Sequence, residues 1–214
     1  MKAVIFDLDG VIVSTDEYHY QAWKKLADTE GIYFDKDINH RLRGVSRMES
    51  LEILLKASNK QYSEEQKLEL AARKNFIYRE LLKNITPDDI LPEVNTLLYG
   101  LRKKRIKMAI GSSSRNSKII LENIGLGSFF DAVIDGNMIK KSKPDPEVFV
   151  KASAKLRIPV KQCLVIEDAV SGISAALAAG MKVVAVGYGA EDKRAHKAIK
   201  DLSAITVEEI LDFN

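Results

Sequence analysis

A chain of 214 residues corresponds to one large domain or two small ones and can bury about 70% of the surface its unfolded form exposes. With 46% hydrophobic and 29% charged residues, it lies outside the disordered, collagen-like and disulfide-scaffold classes. Lys and Arg number 33 against 30 Asp and Glu, a net charge of +3 that is too even for a dedicated nucleic-acid binder and suits small anionic ligands. The single cysteine, Cys163, allows neither an intrachain disulfide nor a Cys-based zinc site, and reads as a small buried hydrophobe in a reducing compartment. Met1 runs straight into an apolar strand pattern without a signal-type leader. The longest apolar candidate for a span, residues 173–187, is broken by Gly180 and Lys182. These features predict a cytoplasmic protein without membrane or nucleic-acid partners; a monomer is expected, although no feature of the sequence fixes the oligomeric state.

The first predicted element is a buried strand, Ala3–Phe6. Residues 15–86 then carry no convincing strand; their apolar spacing predicts three or four helices, placed roughly over 16–29, 47–57 and 63–83, the last opened by a Ser63/Gln66 capping box. From residue 88 onward strands and helices alternate. Strands are expected at 108–110, 132–134, 164–166 and 183–186, and helices at 93–104, 116–124, 146–156 and 169–179, with Gly125 and Gly180 as C-terminal caps. The alternation predicts an α/β fold with a doubly wound parallel sheet, Rossmann-like, carrying an inserted all-helical domain. The expected division is a core of residues 1–14 and 87–214 and a helical cap of residues 15–86, hinged at 14–15 and 85–87.

Chemistry-bearing residues gather where predicted strands end, the edge at which open α/β sheets bind ligands. Asp7-Leu8-Asp9-Gly10 closes the first strand and places two carboxylates on one side of it, although Asp-x-Asp alone is also a common turn. Glu167-Asp168 closes a later strand. Acids bunched this tightly repel one another, and an all-oxygen donor set without His or Cys points to Mg²⁺; a simpler role is to oppose the dipole of the helix that follows. Gly111-Ser112-Ser113-Ser114-Arg115-Asn116 reads as a phosphate-binding strand-to-helix turn or as an ordinary serine cap. Lys143 precedes Pro144-Asp145-Pro146, whose rigid geometry would fix one ammonium. A nucleophile, hydroxyl donors, a cation and metal ligands together are the parts that phosphoryl transfer needs.

These four stations, in this order, resemble the motifs of the haloacid dehalogenase superfamily of phosphotransferases. The resemblance implies that Asp7 is a nucleophile forming an aspartyl phosphate and that Asp9 is the general acid and base. It implies that Ser112 and Lys143 hold the transferring phosphoryl group. Mg²⁺ would be bound by Asp7, the Asp9 carbonyl, Glu167 and Asp168. Within the superfamily, the helical region resembles the cap of its sugar-phosphate mutases, through Asp16-Glu17-Tyr18-His19 with Ala22-Trp23, Gly44-Val45-Ser46-Arg47 and Arg73-Lys74-Asn75. That likeness implies interconversion of β-glucose 1-phosphate and glucose 6-phosphate through β-glucose 1,6-bisphosphate. The substrate would be gripped by Asp9, His19, Trp23, Gly44, Val45, Ser46, Arg47 and Lys74, and by Ser114, Arg115 and Asn116. The alternatives are a Mg²⁺-dependent sugar-phosphate phosphatase and a noncatalytic phosphosugar-binding module; the filled catalytic stations argue against the second.

Simpler readings stand beside these. His19 and Trp23, four apart, could be a packed helical pair, and Arg47 and Lys74 could be solvated charges. Arg102-Lys103-Lys104-Arg105 closes a helix, where cations suit the dipole. His40 and His196 have no metal-ligand spacing. Three positions depart from the mutase pattern: Arg43 and Arg115 stand where lysine is usual, and Ser14 where an acid is common.

Overall fold

The computed structural model describes residues 1–213. Among them β1 (Ala3–Phe6), β2 (Lys107–Gly111), β3 (Ala132–Ile134), β4 (Cys163–Glu167), β5 (Lys182–Val186) and β6 (Lys197–Ile199) form one sheet. Its order is β3-β2-β1-β4-β5-β6, with every pairing parallel. Strands covered on both faces explain the unbroken apolar runs. Val4, Phe6, Met108, Ile110, Leu164 and Ile166 enter one cluster with α5 (Val94–Lys103) and α6 (Ser117–Asn123). Ala3, Ile5, Ala109 and Val165 enter the other with α7 (Glu147–Leu156) and α8 (Val170–Ala178). The doubly wound sheet expected from the alternation is present. Gly125 and Gly180 follow their helices with φ of 77° and 72°, as expected of left-handed caps.

Between β1 and α5 the chain forms α1 (Asp16–Glu30), α2 (Lys36–His40), α3 (Arg47–Leu55) and α4 (Glu64–Leu81), without a strand among them. They share a third apolar cluster that includes Trp23, Leu26, Phe34, Leu51, Leu54 and Leu70. Both α3 and α4 open with full capping boxes, Ser46/Glu49 and Ser63/Gln66. α4 stops two residues short of the expected Lys83, tightening into a 3₁₀ turn, Leu82–Asn84, where Leu82 and Ile85 re-enter the main core. The fourth helix of the insert, left without a position by the sequence, is the short α2; β6 and the terminal α9 (Val207–Leu211) were not expected.

The basic run has local partners. Arg102 donates to the Phe129 carbonyl and lies 3.9 Å from the centre of that ring, and Lys104 is 3.5 Å from Glu208 on α9. Cys163 is buried, and His196 Nδ1 accepts from the Val183 amide, 3.2 Å away. Among the described residues no helix is long and apolar enough to cross a membrane.

Candidate active site

Phe6 pairs with Ile110 on one side and Ile166 on the other, so the carboxyl ends of three neighbouring strands bring Asp7, Ser112 and Glu167-Asp168 to one edge. Gly10 turns the chain away at a φ of 84°. A Cβ there would fall 2.1 Å from Asp168 Oδ2, so only glycine lets the two acidic strand ends approach this closely. Gly172, in the first turn of α8, makes room in the same way for Glu167.

Lys143, 1% exposed, reaches up between the strands. Its ammonium lies 2.6 Å from Asp7 Oδ1 and 2.5 Å from Glu167 Oε1. Burial alone would lower the Lys143 pKa, but the two carboxylates outweigh it and hold it above the ordinary lysine value. Glu167 is fixed further by the Ala169 amide, which donates to Oε2 at 2.8 Å. Asp168 is pushed up to about 8, by burial first and then by the charges of Glu167 and Asp7. Asp7, Glu167 and Asp168 are buried and can each offer an oxygen within 4.8 Å of the others. This compact, all-oxygen set fits a hard divalent cation such as Mg²⁺.

Asp9 stands apart from this cluster. Burial and the charge of Asp7 push it up to about 7, against the opposing pull of the Thr15 hydroxyl, Lys143 and Lys74. Thr15 Oγ1 donates to Asp9 Oδ1, and Tyr78, from α4, donates to Thr15 Oγ1 at 3.0 Å. A protonatable carboxyl is thus tied to the helical insert by a hydroxyl chain.

The insert supplies the opposite wall. Lys74 is buried, 2.8 Å from His19 Nδ1 and 4.8 Å from the centre of the Trp23 ring. Burial, and then Arg47, lowers the Lys74 pKa well below the usual lysine value, and burial with Lys74 and Arg47 does the same to His19. Arg47 is lowered by burial and by Arg115, which faces it from the core. Among the hydrogen bonds that cross the seam are Asn116 Nδ2 to Asn75 Oδ1 at 2.9 Å and Ser142 Oγ to Glu49 Oε2 at 2.8 Å.

Between these walls lies a cavity of about 550 Å³. Every residue expected at the site lines it except Glu167, which sits beneath Lys143. The serine turn is not an ordinary cap: Asn116 occupies the N-cap of α6 and makes no side-chain cap bond, while Ser112 Oγ accepts from the Ser114 amide at 3.1 Å. Of the Arg73-Lys74-Asn75 motif, Arg73 points away and pairs with Glu30 at 3.2 Å. Sequence reasoning missed Tyr78, whose place one helical turn beyond Lys74 was the available signal, and the contact of Thr15 with Asp9.

Residues 1–180 match the haloacid dehalogenase-like hydrolase family, and the chain belongs to that family. Over 210 residues it is 44% identical to the β-phosphoglucomutase of Bacillus subtilis (strain 168), covering 97% of this chain and 93% of that protein. It is also 31% identical over 216 residues to a phosphorylated carbohydrates phosphatase of Thermotoga maritima, covering 99% and 97% of the two chains. The crystal structure of a β-phosphoglucomutase from Clostridium difficile matches with a TM-score of 0.94 at 40% identity, covering 99% of this chain and 96% of that one.

Proposed function

We propose that this chain is a Mg²⁺-dependent mutase that interconverts β-glucose 1-phosphate and glucose 6-phosphate. The observation that carries this reading is a cavity with provision for an anion at each end. Lys143 and Ser112 stand beside Asp7 at one end, and Arg47 faces Arg115 at the other, close enough for one guanidinium to depress the other. A hydrolase acting on a monophosphate needs one such end; a bisphosphate intermediate needs two. The high identity to a β-phosphoglucomutase over nearly the whole chain supports the same conclusion.

Asp7, Asp9 through its carbonyl, Glu167 and Asp168 would hold Mg²⁺, which when bound offsets the charge of the carboxylates and of the transferring phosphoryl group. Phosphorylated Asp7 gives its phosphoryl group to the free 6-hydroxyl of β-glucose 1-phosphate, and Asp9 takes the hydroxyl proton. β-Glucose 1,6-bisphosphate results and turns end for end. Asp7 then attacks phosphorus at position 1, the bond to the sugar oxygen breaks, Asp9 returns its proton to that oxygen, and glucose 6-phosphate leaves. Ser112 and Lys143 hold the transferring oxygens. Ser114, Arg115 and Asn116 of the core, with Gly44, Val45, Ser46 and Arg47 of the insert, grip the sugar and the distal phosphate. His19, Trp23 and Lys74 complete the wall above Asp9.

In this reading residues 1–14 and 87–214 are the catalytic core and residues 15–86 a cap that shuts water out of the phosphoaspartate. The site is complete within one chain, which supports a monomer, and the free, buried Cys163 suits the cytoplasm. Incubation with Mg²⁺, β-glucose 1-phosphate and a trace of the bisphosphate tests the proposal. Accumulation of glucose 6-phosphate supports it. Stoichiometric inorganic phosphate with free glucose would replace it by the sugar-phosphate phosphatase reading, in line with the phosphorylated carbohydrates phosphatase of Thermotoga maritima.

A further inference from the structure

One set of contacts across the seam has no part in the chemistry above. Arg43, just before the Gly44 turn, is 14% exposed in its side chain. One of its terminal nitrogens donates to Asp16 Oδ2, within the insert, and the other lies 3.6 Å from Asp168 Oδ2, on the core. The guanidinium carbon is 3.7 Å from the centre of the Tyr188 ring, in the 3₁₀ turn Gly187–Glu191 that follows β5. His40 of the insert comes to 5.4 Å of the same ring. Tyr188 is 64% exposed, yet two insert side chains lie against it.

The seam is tight here. A Cβ on Gly44 would fall 2.2 Å from Ser171 Oγ, and both that hydroxyl and Arg43 Nε are buried without a hydrogen-bond partner. Leaving such groups unpaired costs free energy, so the stack and the ion pairs must outweigh it for the seam to stay shut.

We propose that Arg43 and Tyr188 form a clamp that holds the insert closed over the cavity, and that the clamped guanidinium is a positioning residue for Asp168. Asp168 has two oxygens; engaging one from the insert side leaves the other for the cluster with Asp7 and Glu167. The clamp uses arginine as such: lysine would supply the charge but not a flat face for the ring.

The inference rests on the phosphoryl-transfer reading of the site, and product analysis of the wild-type enzyme judges that reading separately. The variants Tyr188→Ala, Tyr188→Phe and Arg43→Lys, and the double variant Arg43→Lys/Tyr188→Ala, are compared in the full-length protein. Two quantities are read: amide hydrogen exchange of residues 44–47 without substrate, and the fraction of phosphoryl groups lost to water during turnover of β-glucose 1-phosphate with Mg²⁺. Exchange should rise about three- to tenfold in Tyr188→Ala and Arg43→Lys, the range expected for a lost cation–π contact, with the hydrolytic fraction rising alongside. The double variant should be no worse than either single one, and Tyr188→Phe should match wild type. Wild-type exchange in Tyr188→Ala, or equal effects of Ala and Phe, would overturn the clamp. If the wild-type enzyme makes no glucose 6-phosphate, the mutase reading fails while the exchange data still decide whether the seam is clamped.

Discussion

The two walls of the cavity solve opposite electrostatic problems. On the sheet side, three buried acids crowd together, and Lys143 sits among them as an internal counterion held at 2.6 and 2.5 Å. On the helical side, buried Lys74 is depressed by burial and by the half-buried Arg47, Arg47 is itself depressed by burial and by Arg115, and Asp9 is the acid that favours the charged form of Lys74. One wall keeps an excess of carboxylate over its internal cation, which a divalent metal ion would offset. The other lacks negative charge that a phosphorylated ligand would bring. Chemistry is therefore built into the rigid strand ends, and recognition into helices whose charges become favourable once an anion lies between them.

Four experiments would break or sharpen this contrast. Asp7→Asn should abolish turnover by more than about 10⁴-fold, because a transfer that runs through a covalent step has no substitute for its nucleophile. Mass spectrometry of rapidly quenched mixtures should find the phosphoryl adduct on the N-terminal peptide of the wild type and not of the variant. Lys143→Ala should destabilise the metal-free protein by about 3–5 kcal/mol in urea titrations, since Asp7 and Glu167 would remain buried without their counterion. A wild-type midpoint would show that the acidic wall needs no internal cation.

On the helical side, Arg47→Ala should lower kcat/KM by about 10- to 100-fold, the scale of a lost hydrogen bond between charged groups. Phosphoaspartate formation from a small phosphoryl donor such as acetyl phosphate should persist. Loss of both would mean that the two walls cannot be separated.

The smallest expected effect concerns pH. Asp9 at about 7 and Asp168 at about 8 keep protons in the fold that the unfolded chain releases near about pH 4. Over that interval these two groups bind more protons in the folded state, so their contribution to the stability of the metal-free protein should fall as pH rises from about 4 to about 8; His19 and Lys74, held well below their ordinary values, act in the opposite sense and temper the fall. Mg²⁺ takes the ionised acids, so its stabilising increment should grow across the same range. Thermal melts in EDTA and in Mg²⁺ at a series of pH values check this; a metal-free melting temperature that climbs toward pH 8 would contradict it.

Most of the sheet was legible because a parallel strand covered on both faces leaves a continuous apolar signature, as in Ala3–Phe6, where every residue is buried. β6 was not, because of its three residues only Ile199 is buried. α2 is too short for a helical period to register. The catalytic edge was legible for a related reason: each strand end concentrates its chemistry in two or three adjacent residues. Contacts between distant residues left no such trace. Tyr78 reaches Thr15 across 63 positions, and Arg43 reaches Tyr188 from the far side of the sheet's connections. Nothing in either local stretch announces the pairing.

The chain contains a single tryptophan, and that residue lies in the cavity wall beside a buried ammonium. Intrinsic indole emission is therefore a label already installed where the sugar would sit. Occupancy by a phosphorylated ligand, which rearranges the field around Lys74, should be visible as a change in emission intensity or wavelength, in unmodified enzyme and on the time scale of mixing.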